Sequence, residues 1–120
     1  MARILVAEDD AAMRVFLTQC LRRAGHDVRA TEDGTDAADQ LEQQDFDLLL
    51  ADVVMPGIDG VELARRATRH SPDLKVMFIT GFAAVALNRG YGPDGRPNPG
   101  LSKPFHLNRL VNEVREMLAA

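Results

Sequence analysis

The sequence predicts an α/β domain, a parallel sheet covered by helices on both faces. Two observations carry that prediction. Short, near-continuous apolar runs, "RILVA", "LLLA" and "LKVMFIT", read as strands buried on both sides, a pattern typical of parallel sheets. Between them lie amphipathic or polar stretches that suit the helical crossovers parallel strands require. With 120 residues, no internal repeat and no break in composition, the chain is expected to form a single domain over residues 1–120.

Each element has its own reason. Arg3 to Ala7 form the first strand. In the helix that follows, Met13, Phe16, Leu17, Cys20 and Leu21 are spaced as one buried face, and Gly25 supplies a natural C-cap residue. "HDVRAT" is a weak second strand and "GTDAADQLEQQ" a polar second helix. Leu48 to Ala51 make the third strand. Asp59, with Glu62 three residues on, has the pattern of a capping box that opens the third helix. The fourth strand is "LKVMFIT", and "LSKPF" follows a short fifth. At the end, Leu107, Leu110, Val111, Val114 and Leu118 fall on one helical face.

Bulk properties exclude several classes. Lys plus Arg number 14 against 18 Asp plus Glu, a net charge of -4, which argues against the clustered positive charge of a nucleic-acid surface. No apolar run approaches the ~18 residues of a membrane span and no signal-peptide pattern opens the chain, so the expected location is cytoplasmic. Cys20 is the only cysteine, and its place in an apolar stripe makes it a packed thiol rather than a reactive one. His26, His70 and His106 have no metal-ligand spacing and read as structural or exposed.

The strand ends carry the chemistry. Ligands of open parallel sheets bind beyond the carboxyl ends of the strands. Here the first strand runs into Glu8-Asp9, the third into Asp52 and the fourth into Thr80, with Lys103 just past the fifth. Three carboxylates crowded together repel by several kcal/mol, so the cluster implies a bound cation or protons. All-oxygen donors from a few carboxylates suit Mg²⁺ better than a Ca²⁺ cage. Asp52 could then act as a carboxylate nucleophile toward a phosphoryl group. Thr80 could donate to a phosphoryl oxygen and Lys103 could offset its charge. Asp10 reads as an N-cap for the first helix rather than a third ligand from that loop.

"ILVAEDD", "LLLADVVMPGIDG", "FITG" and "LSKPF", in that order and each at a strand end, resemble the receiver domain of two-component response regulators across essentially the whole chain. The resemblance implies a flavodoxin-like, doubly wound five-stranded parallel sheet in the order 2-1-3-4-5. It implies that Asp52 is the phosphoacceptor, charged by a histidine kinase or histidine phosphotransferase. Glu8, Asp9, Asp52 and the backbone carbonyl of Val54 would hold Mg²⁺, with Thr80 as the switch hydroxyl and Lys103 as the site lysine. The Lys103-Pro104 peptide would be cis. Such a protein is not an enzyme toward other substrates; it catalyses only its own Mg²⁺-dependent phosphorylation and dephosphorylation.

Departures from the family pattern are informative. Residues 88–100, "NRGYGPDGRPNPG", hold four Gly and three Pro where the family has its fourth helix, so that helix is expected to be short or disrupted and its segment to order or relocate on activation. Gly100 stands where receivers usually carry a switch aromatic. Val54 and Phe82 are apolar where many receivers place polar groups that position an attacking water, so slow loss of the phosphoryl group is expected.

No output domain is evident after the last helix, so a stand-alone, monomeric switch is expected. "MFITGFAAVALN" and "LSKPFHLNRLVNEVREML" further resemble stand-alone receivers of alphaproteobacteria that prime the ClpXP protease when unphosphorylated. That resemblance adds ClpX as an expected partner and a cell pole as a place of recruitment. The alternative is a phosphorelay intermediate or phosphate sink with no protease partner. A receiver cut from a transcription factor remains a further option. An aspartyl-phosphate enzyme would need a substrate segment that 120 residues do not supply. A flavin protein would need a glycine-rich phosphate loop where "EDDAAM" stands.

Overall fold

The first strand, β1 (Arg3–Ala7), lies inside a parallel sheet, between β2 (Asp27–Thr31) and β3 (Leu48–Asp52). β4 (Lys75–Thr80) pairs on the far side of β3, and β5 (Gly100–Ser102) completes the sheet, giving the order β2-β1-β3-β4-β5. The intervening helices are α1 (Ala11–Arg23), α2 (Gly34–Gln43) and α3 (Gly60–His70), and a C-terminal helix spans Leu107–Ala119. This computed structural model describes residues 2–80, 100–102 and 107–119. The expected short fourth helix, the Gly/Pro-rich stretch up to Pro99, Phe82 and the Lys103-Pro104 peptide lie outside the described residues. Gly100, expected in that loop, instead opens β5 opposite Phe78.

The sheet is apolar on both faces because side chains alternate along each strand. Ile4, Val6, Leu48, Leu50, Met77 and Ile79 face one layer, with Leu17, Cys20 and Leu21 of α1 and Leu110 and Val114 of the C-terminal helix. Leu5, Ala7, Leu49 and Ala51 face the other, with Ala37 and Leu41 of α2 and Leu63, Ala64 and Ala67 of α3. Each fully buried leucine or isoleucine contributes about 1.5–3 kcal/mol, so both layers are needed for a chain of this length. Burial also pushes the Cys20 thiol above its ordinary value, as a packed rather than reactive cysteine requires.

Three aspartates start α1, α2 and α3. The side chains of Asp10, Asp33 and Asp59 accept from the N–H groups of Met13, Asp36 and Glu62 at 3.1, 2.7 and 2.8 Å. α1 ends at Arg23, and Gly25 takes the left-handed backbone (φ 97°) that turns the chain toward β2.

Two expectations are corrected. Phe16 is 39% exposed rather than part of the buried face. At 100° per residue it lies roughly a quarter turn from the centre of the Leu17-Cys20-Leu21 stripe. The capping box of α3 is half formed: Asp59 caps Glu62, but both Glu62 carboxylate oxygens take Arg65 instead, at 2.7 and 2.9 Å. The i, i+3 guanidinium presents two donors to the carboxylate and outcompetes a single backbone N–H.

Candidate functional site

Register decides what meets at the carboxyl edge. Ala7 lies opposite Ala51, Asp52 opposite Ile79, and Thr80 opposite Ser102, so the strands end almost level. Glu8 extends the pairing by one residue, its N–H donating to Thr31 O at 3.1 Å. Its side chain is thereby held at the edge and 1% exposed. Asp9, next along the turn, is exposed. Asp52 is the last residue of β3, 8% exposed, and its Oδ1 accepts from the Val54 N–H at 3.1 Å.

One carboxylate oxygen from each of Glu8, Asp9 and Asp52 lies within 4.8 Å of the others. Two buried carboxyl groups and one exposed one at that spacing form a donor set of oxygens alone, which fits a hard divalent cation. The open side at Asp9 leaves room for water or a ligand oxygen. Asp10 turns away from this cluster and caps α1.

Thr80 is at the end of β4 as expected, one residue past the partner of Asp52. Lys103, which follows β5, lies outside the described residues. Val54 is 52% exposed, so its apolar side chain is not there to fill the core. His26, expected to be structural or exposed, accepts the Ala2 N–H on Nδ1 at 3.3 Å, at the opposite end of the strands.

Two residues that the sequence reading passed over support the cluster. Nη1 of Arg14 donates to the carbonyls of Glu8 (2.9 Å) and Asp9 (3.4 Å), closing the turn that bears both acids. A hint was present: a cation in the first turns of a helix opposes its dipole and so calls for a local reason. The other is Gly60, at the start of α3, whose N–H donates to Val53 O at 3.0 Å. A cleft of about 790 Å³, lined in part by His26, Phe46, Asp73 and Arg115, shares no residue with the acids. No helix among the described residues is long and apolar enough to cross a membrane.

Residues 4–115 match the family described as the response regulator receiver domain. The response regulator receiver protein CpdR of Brucella abortus is 56% identical over 123 residues, which span all of this chain and 99% of that protein. The sensor kinase CckA of the same organism is 34% identical over 119 residues, although the chain spans only 12% of its length. Among solved structures, a response regulator receiver protein from Sinorhizobium medicae superposes with a TM-score of 0.88 at 29% identity, covering 98% of this chain and 94% of that one. Strand order, the acidic edge and these likenesses agree, and the chain belongs to the response regulator receiver family.

Proposed function

We propose that this chain is a single-domain phosphorylation switch in which Asp52 accepts a phosphoryl group from a phosphohistidine. The convergence of Glu8, Asp9 and Asp52 within 4.8 Å is the observation that supports it most directly. An Asp52 carboxylate oxygen attacks phosphorus, the P–N bond to the donor imidazole breaks, and the imidazole leaves with that electron pair. Bound Mg²⁺ would offset charge on the transferring group. Glu8, Asp9 and Asp52 would hold it, with the Val54 carbonyl as a further oxygen donor. The Thr80 hydroxyl would donate to a phosphoryl oxygen and Lys103 would pair with another. The Val54 N–H on Asp52 Oδ1 favours one orientation of the carboxylate before the reaction begins.

Phosphorylation would add about 1.5 to 2 negative charges at this edge. In this reading the chain belongs to phosphorelay signalling, with a histidine kinase or histidine phosphotransferase as donor. Likeness to CpdR over nearly all of both chains supports a finer assignment. The unphosphorylated form would bind ClpX and prime ClpXP, and the phosphoryl group would switch that off.

Intact mass after incubation with Mg²⁺ and acetyl phosphate, wild type beside Asp52→Asn, tests the switch. One added phosphoryl group in the wild type alone is the expected result. No gain from either acetyl phosphate or a histidine phosphotransferase overturns it. A ClpX pull-down in both states then separates a protease adaptor from a relay or sink, since only the adaptor binds.

A further inference from the structure

Gly60 is not among the glycines with positive φ, so its backbone does not call for glycine. Space does. A Cβ there would overlap the carbonyl oxygen of Asp52 and lie 2.9 Å from its carbonyl carbon and 3.0 Å from Val53 Cα. Every one of those atoms is main chain, so no flexible side chain can swing aside.

What gives way follows from how the two sides are held. α3 is anchored by Leu63 and Ala67, 0% and 2% exposed, in the core beneath it. The middle of β3 is paired on both sides, but the ladder to β1 stops at Ala51. Asp52 keeps β4 alone as a strand partner, opposite Ile79. Because Asp52 stands at the end of the β1 ladder and its carbonyl is the nearest atom, part of the displacement forced by an added methyl falls on Asp52.

We propose that Gly60 is a positioning residue for the acidic site: its bare Cα lets the start of α3 seat on the Asp52 carbonyl and so fixes where the Asp52 carboxylate meets Glu8 and Asp9. This rests on the reading of the acids as a cation and phosphoryl site. A shift of about 1 Å in a reacting group can cost up to ~100-fold in rate, and shared cation ligands tolerate little more.

Gly34 provides the comparison. A Cβ on it would overlap the Ile58 carbonyl oxygen, so it is as tightly packed as Gly60, but against Ile58 in the loop that leads into α3 rather than against Asp52. Its N–H lies 3.4 Å from Pro56 O. Gly34→Ala should therefore disturb folding without disturbing the acids.

The test titrates Mg²⁺ into wild type, Gly60→Ala and Gly34→Ala by calorimetry, alongside thermal unfolding and phosphorylation by acetyl phosphate. The expected result is a lower melting temperature in both variants, with Mg²⁺ affinity and phosphorylation rate down about tenfold or more in Gly60→Ala alone. Affinity within about twofold of wild type in folded Gly60→Ala, or equal weakening in both variants, overturns the proposal. If Gly60→Ala is unfolded in buffer, the titration is repeated in sucrose, which favours the compact state. Failure to fold even there also overturns it, since the glycine is then a requirement of folding alone. A wild type that neither binds Mg²⁺ nor gains a phosphoryl group would instead refute the proposed function.

Discussion

Replacing Asp52 by Asn should make the cation-free protein more stable. Glu8 and Asp52 are 1% and 8% exposed, and their carboxylate oxygens approach within 4.8 Å. At that separation two unit charges repel by roughly 3.5 kcal/mol for an effective dielectric near 20. The amide keeps an Oδ1 acceptor for the Val54 N–H while removing the charge. Local hydrogen bonds already relieve part of the repulsion, and a gain of about 1 to 3 kcal/mol is expected. For a domain of this size that is a rise in melting temperature of about 5 °C or more. Thermal unfolding followed by circular dichroism in EDTA measures it. Added Mg²⁺ should then narrow the gap or reverse it, because saturation to about 100 times Kd stabilises the wild type by about 2.7 kcal/mol. The Asn variant has lost a ligand charge and should gain much less. An Asn variant that melts at or below wild type in EDTA would refute the electrostatic account of this edge.

Three further outcomes are expected. Asp10→Ala should cost about 1 kcal/mol through loss of the α1 cap while leaving Mg²⁺ affinity within about twofold; a tenfold weaker affinity would make Asp10 a ligand. Val54→Asn should shorten the phosphoryl lifetime, because a polar group at this half-exposed position can orient water toward Asp52, and an unchanged lifetime counts against that role. Burial and then the N-terminal ammonium hold the His26 imidazole below its ordinary 6.5. The unfolded chain therefore takes up that proton more readily, so stability should fall as pH drops through about 6.5 and below. His26→Asn should flatten that slope in denaturant melts from pH 8 to pH 5, and an unchanged slope would assign it to other groups.

Much of this architecture is legible along the chain because its signals are local. Strand limits follow from apolar runs bounded by charge, and β1 and β4 end where "RILVA" and "LKVMFIT" end. The caps at Asp10 and Asp59 follow from short side chains placed before helical periodicity. The misreadings are competitions between neighbours. Phe16 fits the stripe by spacing but lies at its margin, and Glu62 has a better partner one turn ahead in Arg65. Arg14 passed unremarked because what it serves, the carbonyls of Glu8 and Asp9, is backbone that the sequence does not mark.

The sequence by itself determined the residue types at the strand ends: Glu8, Asp9 and Asp52, with Thr80 and Lys103 beyond them. It also determined the order of elements that sends those ends to one edge, since parallel strands joined by helical crossovers all run the same way. Only the tertiary structure decided that an oxygen of each acid comes within 4.8 Å of the others, because that depends on register across β1 and β3, which a shift of one residue would undo. It alone decided that Glu8 is buried while its neighbour Asp9 is not. It also decided that Gly60 is there for want of space rather than for its backbone angles. Close approach between α3 and the end of β3 is a property of packing, and nothing in the order of residues states that distance.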